Sequence, residues 1–421
     1  MKIAVIGSGG REHALCYKLN KSKLVNEIYC VPGNAGTKKI AKNIQIDFNN
    51  FEILHKTLIN YKIDLIIVGP EVPLVNGIVD YFEKKKIKIF GPNKISAQLE
   101  GSKIFMKKFC KEFNIPTAKF DEVKNLEDAK KKLEKYKFPV VVKSDGLAAG
   151  KGVTICKNVN EALRDVEDII NGKFKSSNKV FIEEFLKGEE LSYFVISDGE
   201  NFINLGNAQD HKKIGEGDIG LNTGGMGAYS PSKLLNSKIE KKIIDKIIEP
   251  TIRGMQKIKC PYKGILFAGL IIENHEPKLI EYNVRFGDPE CQVLMMRLEN
   301  DLLELILASL NNSIYKEKVK WSEKSAITIV GASKGYPENY KKNVEIKNLY
   351  EFEQNENEQI FHAATFENEE GKVFTNGGRV LNSTVANNNL KQARKLALNI
   401  LDKLDWENKY YRRDIGFKTI K

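Results

Sequence analysis

The sequence predicts an α/β protein built from several units, and three observations predict it. Residues 1–100 alternate short apolar runs with helical patterns, as parallel strands and their crossover helices do. Residues 102–325 return to strands, now separated by glycine-rich and acidic connectors. The last stretch, 326–421, carries strand-like runs followed by one helix, the pattern of a small α+β domain.

In the first unit, 3–6, 28–31, 63–68 and 87–90 read as buried parallel strands, with helices at 11–19 and 74–85. That is a doubly wound parallel-sheet domain over 1–101, with ligand loops expected at the strand carboxyl ends. The loops there are Gly7-Ser8-Gly9-Gly10-Arg11-Glu12-His13, Pro32-Gly33-Asn34-Ala35-Gly36 and Gly69-Pro70-Glu71. Gly7-x-Gly9 invites a dinucleotide reading, but Glu12 stands where that fingerprint wants Gly or Ala. Backbone N–H groups at this helix start, with Arg11 beside them, suit a phosphate; a tight structural turn is the competing reading.

Next, Gly101-Ser102-Lys103 opens a helix that ends near Asn114, before Pro116. A compact unit follows over about 117–188, with strands at 138–143, 153–156 and 179–184 and a helix at 160–170. Strands return after 189, at 264–272 and 279–284, before a helix at 301–310. The closing stretch shows strand runs at 326–330 and 372–381, a polar loop at 353–358 and a helix at 390–404.

Lys and Arg exceed Asp and Glu, 67 against 55, a net charge of +12. The lysines are mostly scattered and no arginine-rich strip with interleaved aromatics occurs, so nucleic-acid binding is weakly supported; a basic balance suits small anionic substrates equally well, and a solvated lysine-rich surface explains most of it. None of the six cysteines stands in a C-x-x-C pair and none of the five histidines in H-E-x-x-H, which argues against a zinc site or a disulfide framework. The apolar run at the amino terminus is too short for a signal peptide, and 264–272 is the longest mainly apolar stretch. A cytoplasmic protein with reduced thiols and no membrane partner is expected.

The richest segment is Leu279-Ile280-Glu281-Tyr282-Asn283-Val284-Arg285-Phe286-Gly287-Asp288-Pro289-Glu290. Its start reads as a strand, which places Glu281, Asn283 and Arg285 on one face. A carboxylate and a carboxamide oxygen suit a hard Mg²⁺, and an Arg beyond them can steady a transferring phosphoryl group. Upstream, Lys143-Ser144-Asp145-Gly146-Leu147-Ala148-Ala149-Gly150-Lys151-Gly152-Val153 joins two strands, its glycines leaving backbone N–H groups open to a polyphosphate and its lysines at either rim. It is not a Walker A loop, because Gly152 and a strand follow the Gly-Lys pair. The strand 180–184 runs into a connector, Phe185-Leu186-Lys187-Gly188-Glu189-Glu190, whose main chain can read an adenine edge and whose carboxylate can take ribose hydroxyls. Taken singly, the first reads rather as a solvated strand end and the third equally as an acidic linker, whereas lysines at both rims of the loop argue against a bare hairpin.

Their order along the chain resembles the ATP-grasp superfamily. Further strings narrow the resemblance: Gln98-Leu99-Glu100-Gly101-Ser102-Lys103, Gln209-Asp210-His211-Lys212, Asn222-Thr223-Gly224-Gly225-Met226-Gly227-Ala228-Tyr229-Ser230-Pro231, Thr375-Asn376-Gly377-Gly378-Arg379-Val380 and Arg413-Asp414-Ile415-Gly416. Together with the N-terminal loops they resemble the glycinamide ribonucleotide synthetase (phosphoribosylamine–glycine ligase) family over nearly the whole chain. The resemblance implies an ATP-grasp core of two α+β lobes over 102–325, the small lobe at 117–188 being mobile, and a C-terminal domain over 326–421. It implies ATP as substrate with Mg²⁺ or Mn²⁺, and glycine and 5-phosphoribosylamine as the other substrates. The expected ATP contacts are Lys103, Lys143, Gly150, Lys151, Glu183, Glu184, Leu186 and Glu190, with Glu281 and Asn283 as metal ligands. Substrate contacts are expected at Gly9, Gly10, Arg11, Glu12, Asn34, Gly69, Pro70 and Glu71, and at Asn222, Gly224, Gly225 and Met226, whose backbone N–H groups suit a carboxylate. Arg285 and Asp210 are the expected catalytic pair, Arg285 on the phosphoryl oxygens and Asp210 on the glycine ammonium. His211 reads as a packing or network histidine. A monomer without fused partners is expected. The rival readings are an ATP-grasp sibling acting on another carboxylate or on bicarbonate, and a non-catalytic nucleotide-binding regulator.

Overall fold

The computed structural model describes residues 1–146, 152–173 and 179–420. The first unit contains β1 (Lys2–Gly7), α1 (Gly10–Leu19), β2 (Glu27–Pro32), β3 (Lys42–Asn43), α2 (Phe51–Asn60), β4 (Leu65–Val68), α3 (Glu71–Asn76), α4 (Ile78–Lys84) and β5 (Lys88–Phe90). Its strands form a five-stranded parallel sheet in the order β3-β2-β1-β4-β5. The order reverses between β2 and β4 around β1, so the loops after β1 and β4 meet at a topological switch point. The single helix expected over 74–85 is two. Gly77 sits between them at φ +92°, ending one helix and starting the next.

Two helices lead on, α5 (Gln98–Gly101) and α6 (Lys103–Glu112). Ser102 separates them in an extended conformation, and its hydroxyl accepts from the Phe105 N–H at 3.1 Å, capping α6. The small lobe follows with β6 (Phe120–Val123), α7 (Leu126–Leu133), β7 (Val140–Ser144), β8 (Val153–Cys156), α8 (Val159–Ile170) and β9 (Val180–Glu184). Its four strands pair antiparallel in the order β6-β9-β7-β8, with both helices packed on them through Ala129, Leu133, Ala162 and Val166.

The remainder holds β10 (Glu189–Asp198), β11 (Phe202–Asp210), β12 (Lys213–Gly215), β13 (Ile219–Asn222), β14 (Gly227–Ser230), α9 (Ser237–Ile243), α10 (Glu249–Lys257), β15 (Lys263–Glu273), β16 (Glu276–Asn283), α11 (Glu290–Arg297) and α12 (Leu302–Leu310). After these come β17 (Ser325–Ser333), β18 (Glu358–His362), β19 (Thr365–Glu367), β20 (Val373–Thr375), β21 (Arg379–Asn387), α13 (Leu390–Lys403) and β22 (Lys409–Tyr410). A nine-stranded sheet runs β16-β15-β10-β11-β14-β17-β21-β18, with β22 on β17. It crosses residue 325 without a break, because β14 pairs antiparallel with β17 from Gly227↔Ile329 to Ser230↔Ala326. The strand expected over 372–381 is divided between β20 and β21, since Asn376-Gly377-Gly378 turn the chain between them. Helix α11 lies where the first unit, the long sheet and the C-terminal strands meet, and its residues Glu290–Arg297 are nearly all buried. No described helix is long and apolar enough to cross a membrane.

Candidate active site

Strand β16 carries the two oxygen donors. Its pairing with β15 slips by one residue, Gly269 facing Glu281 and Leu270 facing Leu279. This bulge at Ile280 sets the face on which Glu281 and Asn283 stand. Gly269 lies against Glu281, where a Cβ would come within 3.3 Å of the Glu281 Cγ. Neither the Glu281 carboxylate nor the Asn283 carboxamide has a hydrogen-bond partner among the described residues, and no group of three or more His, Cys, Asp or Glu there could hold a metal. Two free oxygen donors fit a hard divalent cation that takes its remaining ligands from water and phosphate. Burial pushes the Glu281 carboxyl up, but Lys212, Lys143, Lys103 and Arg285 outweigh it and hold it below the usual range.

Two of these lysines, Lys103 and Lys143, are themselves held by the fold. Lys103 at the start of α6 donates to the Gly146 carbonyl at 2.7 Å. Lys143 on β7 meets Glu183 Oε2 at 2.7 Å, and Lys107 holds Glu183 Oε1 at 2.8 Å. Both oxygens of Glu183 are thus taken by lysines. The Glu183 side chain is closed between these two lysines and fixes Lys143. Lys107 went unremarked in the sequence, although its place four residues after Lys103 puts it on the same helix face. Beyond β9, Phe185, Leu186 and Lys187 make no main-chain hydrogen bond among the described residues, so the connector's backbone stays open. Glu184 is half-buried at its start, and Glu190 at its far end pairs with Lys212 at 2.7 Å. Gly150 and Lys151 lie outside the described residues.

Asp210 ends β11 beside this cluster, its backbone paired with Ala228 of β14 and its carboxylate without a hydrogen-bond partner among the described residues. Burial, with Glu290, Glu190 and Glu281 nearby, pushes its carboxyl up to about 8 against the pull of Lys212. Burial pulls the Lys212 ammonium down, but Glu190, Asp210 and Glu281 hold it well above its usual value. Glu290, at the start of α11, accepts from the Ser192 hydroxyl at 3.1 Å and is also pushed up by burial.

The glycine-rich string after β13 is tied down through its own N–H groups. Thr223 N–H donates to the Lys212 carbonyl, Gly224 N–H to the Tyr336 hydroxyl, Gly225 N–H to Thr223 Oγ1 and Met226 N–H to the His211 carbonyl, at 2.7, 2.9, 3.0 and 2.8 Å. Gly224, Gly225 and Met226 therefore offer no free N–H to a carboxylate, and the Met226 side chain is fully buried in apolar packing. Their glycines serve close approach instead: a Cβ on Gly225 would come within 2.5 Å of Pro289. Arg379 ties the knot by donating to the carbonyls of Gly224 and Asp288, both at 2.6 Å. Only the Asn222 side chain remains unpartnered among the described residues of the string.

The N-terminal loops converge on the same junction. Glu12 turns back to take the Gly9 N–H at 2.6 Å, which explains a Glu where a dinucleotide fingerprint would need a small residue. Arg11 reaches Glu12 at 2.6 Å and the Phe286 carbonyl at 3.2 Å. Gly69 makes room for Glu12, since a Cβ there would lie 2.0 Å from its Oε1. Pro70 precedes α3 as its cap residue. Gly10 packs closely on its Cα side, where a Cβ would meet the amides of Asn382 and Gln292 at 2.2 and 2.5 Å, while its N–H has no partner among the described residues. Asn34 is occupied, donating to the carbonyls of Ser8 and His362 at 2.9 Å and accepting from the Gly36 and Thr37 N–H groups at 2.9 Å. Gly10 and Asn34 hold the loops together.

Arg285 lies past the end of β16 rather than on its face. Its guanidinium donates to Glu71 at 3.2 Å, to Glu100 at 2.7 Å and to the Phe286 carbonyl at 3.2 Å, joining the first unit to the long sheet. Three of its five N–H groups are used, which leaves two for a ligand. Burial pushes Glu71 up but Arg285 and Arg11 bring it down to about 2, whereas burial wins at Glu100 and raises it to about 7.

Residues 1–100, 101–291 and 326–418 match the N domain, the ATP-grasp (A) domain and the C domain of phosphoribosylglycinamide synthetase. The phosphoribosylamine–glycine ligase of Brucella melitensis is 45% identical over 421 residues, 100% of this chain and 98% of that protein. That of Agrobacterium fabrum is also 45% identical, over 100% of this chain and 99% of its own. The crystal structure of phosphoribosylamine–glycine ligase from Thermotoga maritima superposes with a TM-score of 0.86 at 34% identity, covering 99% of this chain and 100% of that one. The biotin carboxylase domain of Hydrogenobacter thermophilus 2-oxoglutarate carboxylase, solved with MgADP, ADP and bicarbonate, gives 0.77 at 17% identity over 97% and 91%, a likeness of fold.

Proposed function

Because the chain belongs to the phosphoribosylglycinamide synthetase family and is a phosphoribosylamine–glycine ligase of purine biosynthesis that binds ATP, we propose a division of labour among the residues gathered at this junction. The observation that carries it is the unpartnered pair Glu281 and Asn283 set in a field of lysines. ATP lies between the small lobe and the long sheet. Lys103 and Lys143 meet its phosphates, the open backbone at Phe185 and Leu186 reads the adenine, and Glu190 takes the ribose hydroxyls. Glu281 and Asn283 hold Mg²⁺ or Mn²⁺, which when bound neutralises charge on the polyphosphate.

Glycine sits beside them. Asp210 takes its ammonium, which replaces the proton that burial, with the neighbouring carboxylates, otherwise keeps on Asp210. Lys212, two residues on, and the Asn222 amide meet its carboxylate. The glycine oxygen attacks the γ-phosphoryl, giving glycyl phosphate and ADP. The ribosylamine nitrogen then attacks the acyl carbon, expelling phosphate and forming the amide. The ribosylamine enters from the first unit, its phosphate near the Gly9 and Arg11 turn. The two unused N–H groups of Arg285 steady the acyl-phosphate oxygens between the two substrates. Domains divide at 101 and 325, the chain acts as a monomer, and it works in the cytoplasm.

Carboxyl-¹⁸O-labelled glycine tests the acyl phosphate. One labelled oxygen should appear in the released phosphate per turnover; unlabelled phosphate would overturn the route.

A further inference from the structure

The C-terminal string Arg413-Asp414-Ile415-Gly416 has no part in the chemistry above, yet it lies against the hairpin of β12 and β13 that leads to Asn222. Arg412, just before it, is fully buried. Its guanidinium forks onto Asp414 with two bonds of 2.7 Å, and its Nη1 donates to Asp218 at 2.9 Å and to the Lys213 carbonyl at 3.1 Å. Asp414 accepts in turn from the Gly217 N–H at 2.7 Å, and the Arg413 N–H donates to Glu216 at 2.9 Å. The Tyr410 hydroxyl donates to the Ile214 carbonyl at 2.8 Å, and Lys418 meets Asp218 at 2.8 Å. Segment 410–418 is thus a strap that grips the hairpin along its length.

The grip closes on one residue. Gly416 N–H donates to His211 Nε2 at 3.0 Å, and Arg412 holds the Lys213 carbonyl. These two anchors flank Lys212, whose own carbonyl is fixed by Thr223. A two-stranded hairpin alone is marginal in water. This one exposes Ile219 at 67% and Leu221 at 49%, so apolar burial does little to hold it.

We propose that Arg412 is a positioning residue: through the strap it sets Lys212 and Asn222 for the glycine carboxylate. The idea rests on the assignment of glycine to Lys212 and Asn222, and its test separates the two. Arg412→Met keeps most of the buried volume and removes the fork. With the full-length enzyme, the KM for glycine should rise about tenfold or more while the KM for ATP moves less than about twofold. Arg412→Lys, which keeps one charged donor, should recover part of the loss. Should Arg412→Met fail to fold, Tyr410→Phe removes a single bond at the strap's edge and should move the glycine KM in the same direction. Amide hydrogen exchange over 213–222 should quicken in each variant. Unchanged exchange there would overturn the strap. Faster exchange with the ATP KM rising and the glycine KM unmoved would overturn the glycine assignment, and the proposal with it.

Discussion

Glu100 should make this enzyme less stable as the pH rises through neutrality, and Glu100→Gln should remove that dependence. The carboxylate is 8% exposed and accepts from the Arg285 guanidinium at 2.7 Å and from the Val284 N–H at 2.8 Å. Burial lifts it from an ordinary 4.5 to about 7 despite Arg285, with Glu71 adding to the lift. A carboxyl that binds its proton more tightly when folded favours the folded state while protonated. Its contribution is full below pH 4.5 and is lost as the pH climbs to 7. At about 1.4 kcal/mol per pH unit, the distance from 4.5 to about 7 is worth about 3 kcal/mol. Glutamine keeps the shape and one acceptor but faces a donor with its amide, a fixed cost of about 1–3 kcal/mol. The assay is urea unfolding of both proteins at pH 5 and pH 8, followed by tryptophan fluorescence. The stability gap in favour of wild type should narrow by about 3 kcal/mol from the lower pH to the higher. Parallel curves, or a gap that widens, would refute the reasoning.

Two other variants follow from the site. Glu281→Gln removes the only charged donor on β16 that faces the lysines, and should lower kcat by about 10²–10³-fold with the thermal midpoint nearly unchanged, measured by ADP release and calorimetry; near wild-type turnover would remove Glu281 from the metal site. Gly10→Ala drives a Cβ into the Asn382 and Gln292 amides and should cost about 1–3 kcal/mol of stability, read by urea unfolding, with the ribosylamine KM moving no more than the ATP KM.

Much of this architecture is legible along the chain because local pattern dictates it. The apolar runs of β1, β2 and β4 each lead into a glycine turn, at Gly7, Gly33 and Gly69, and the Glu-x-Asn pair lies at a strand end, so both announce themselves. What the sequence hides is what distant residues do to each other. The Asn222–Pro231 string reads as a ligand loop because glycines permit backbone approach, and only Tyr336, Pro289 and Arg379 reveal that the approach is by protein. Glu183 shows in the sequence only as an acidic strand end, and nothing local tells that Lys107 and Lys143 occupy both its oxygens. Glu100 stands in a quoted string without a role, since its partner Arg285 is 185 positions away. The bulge at Ile280, too, has no signal in composition, although it sets which side chains share a face.

The most direct measurement is coupled ADP release with each component withheld in turn. The account predicts sustained release only when ATP, divalent metal, glycine and 5-phosphoribosylamine are all present, with bicarbonate unable to replace glycine. Equal release without the ribosylamine, or with bicarbonate in glycine's place, would contradict it.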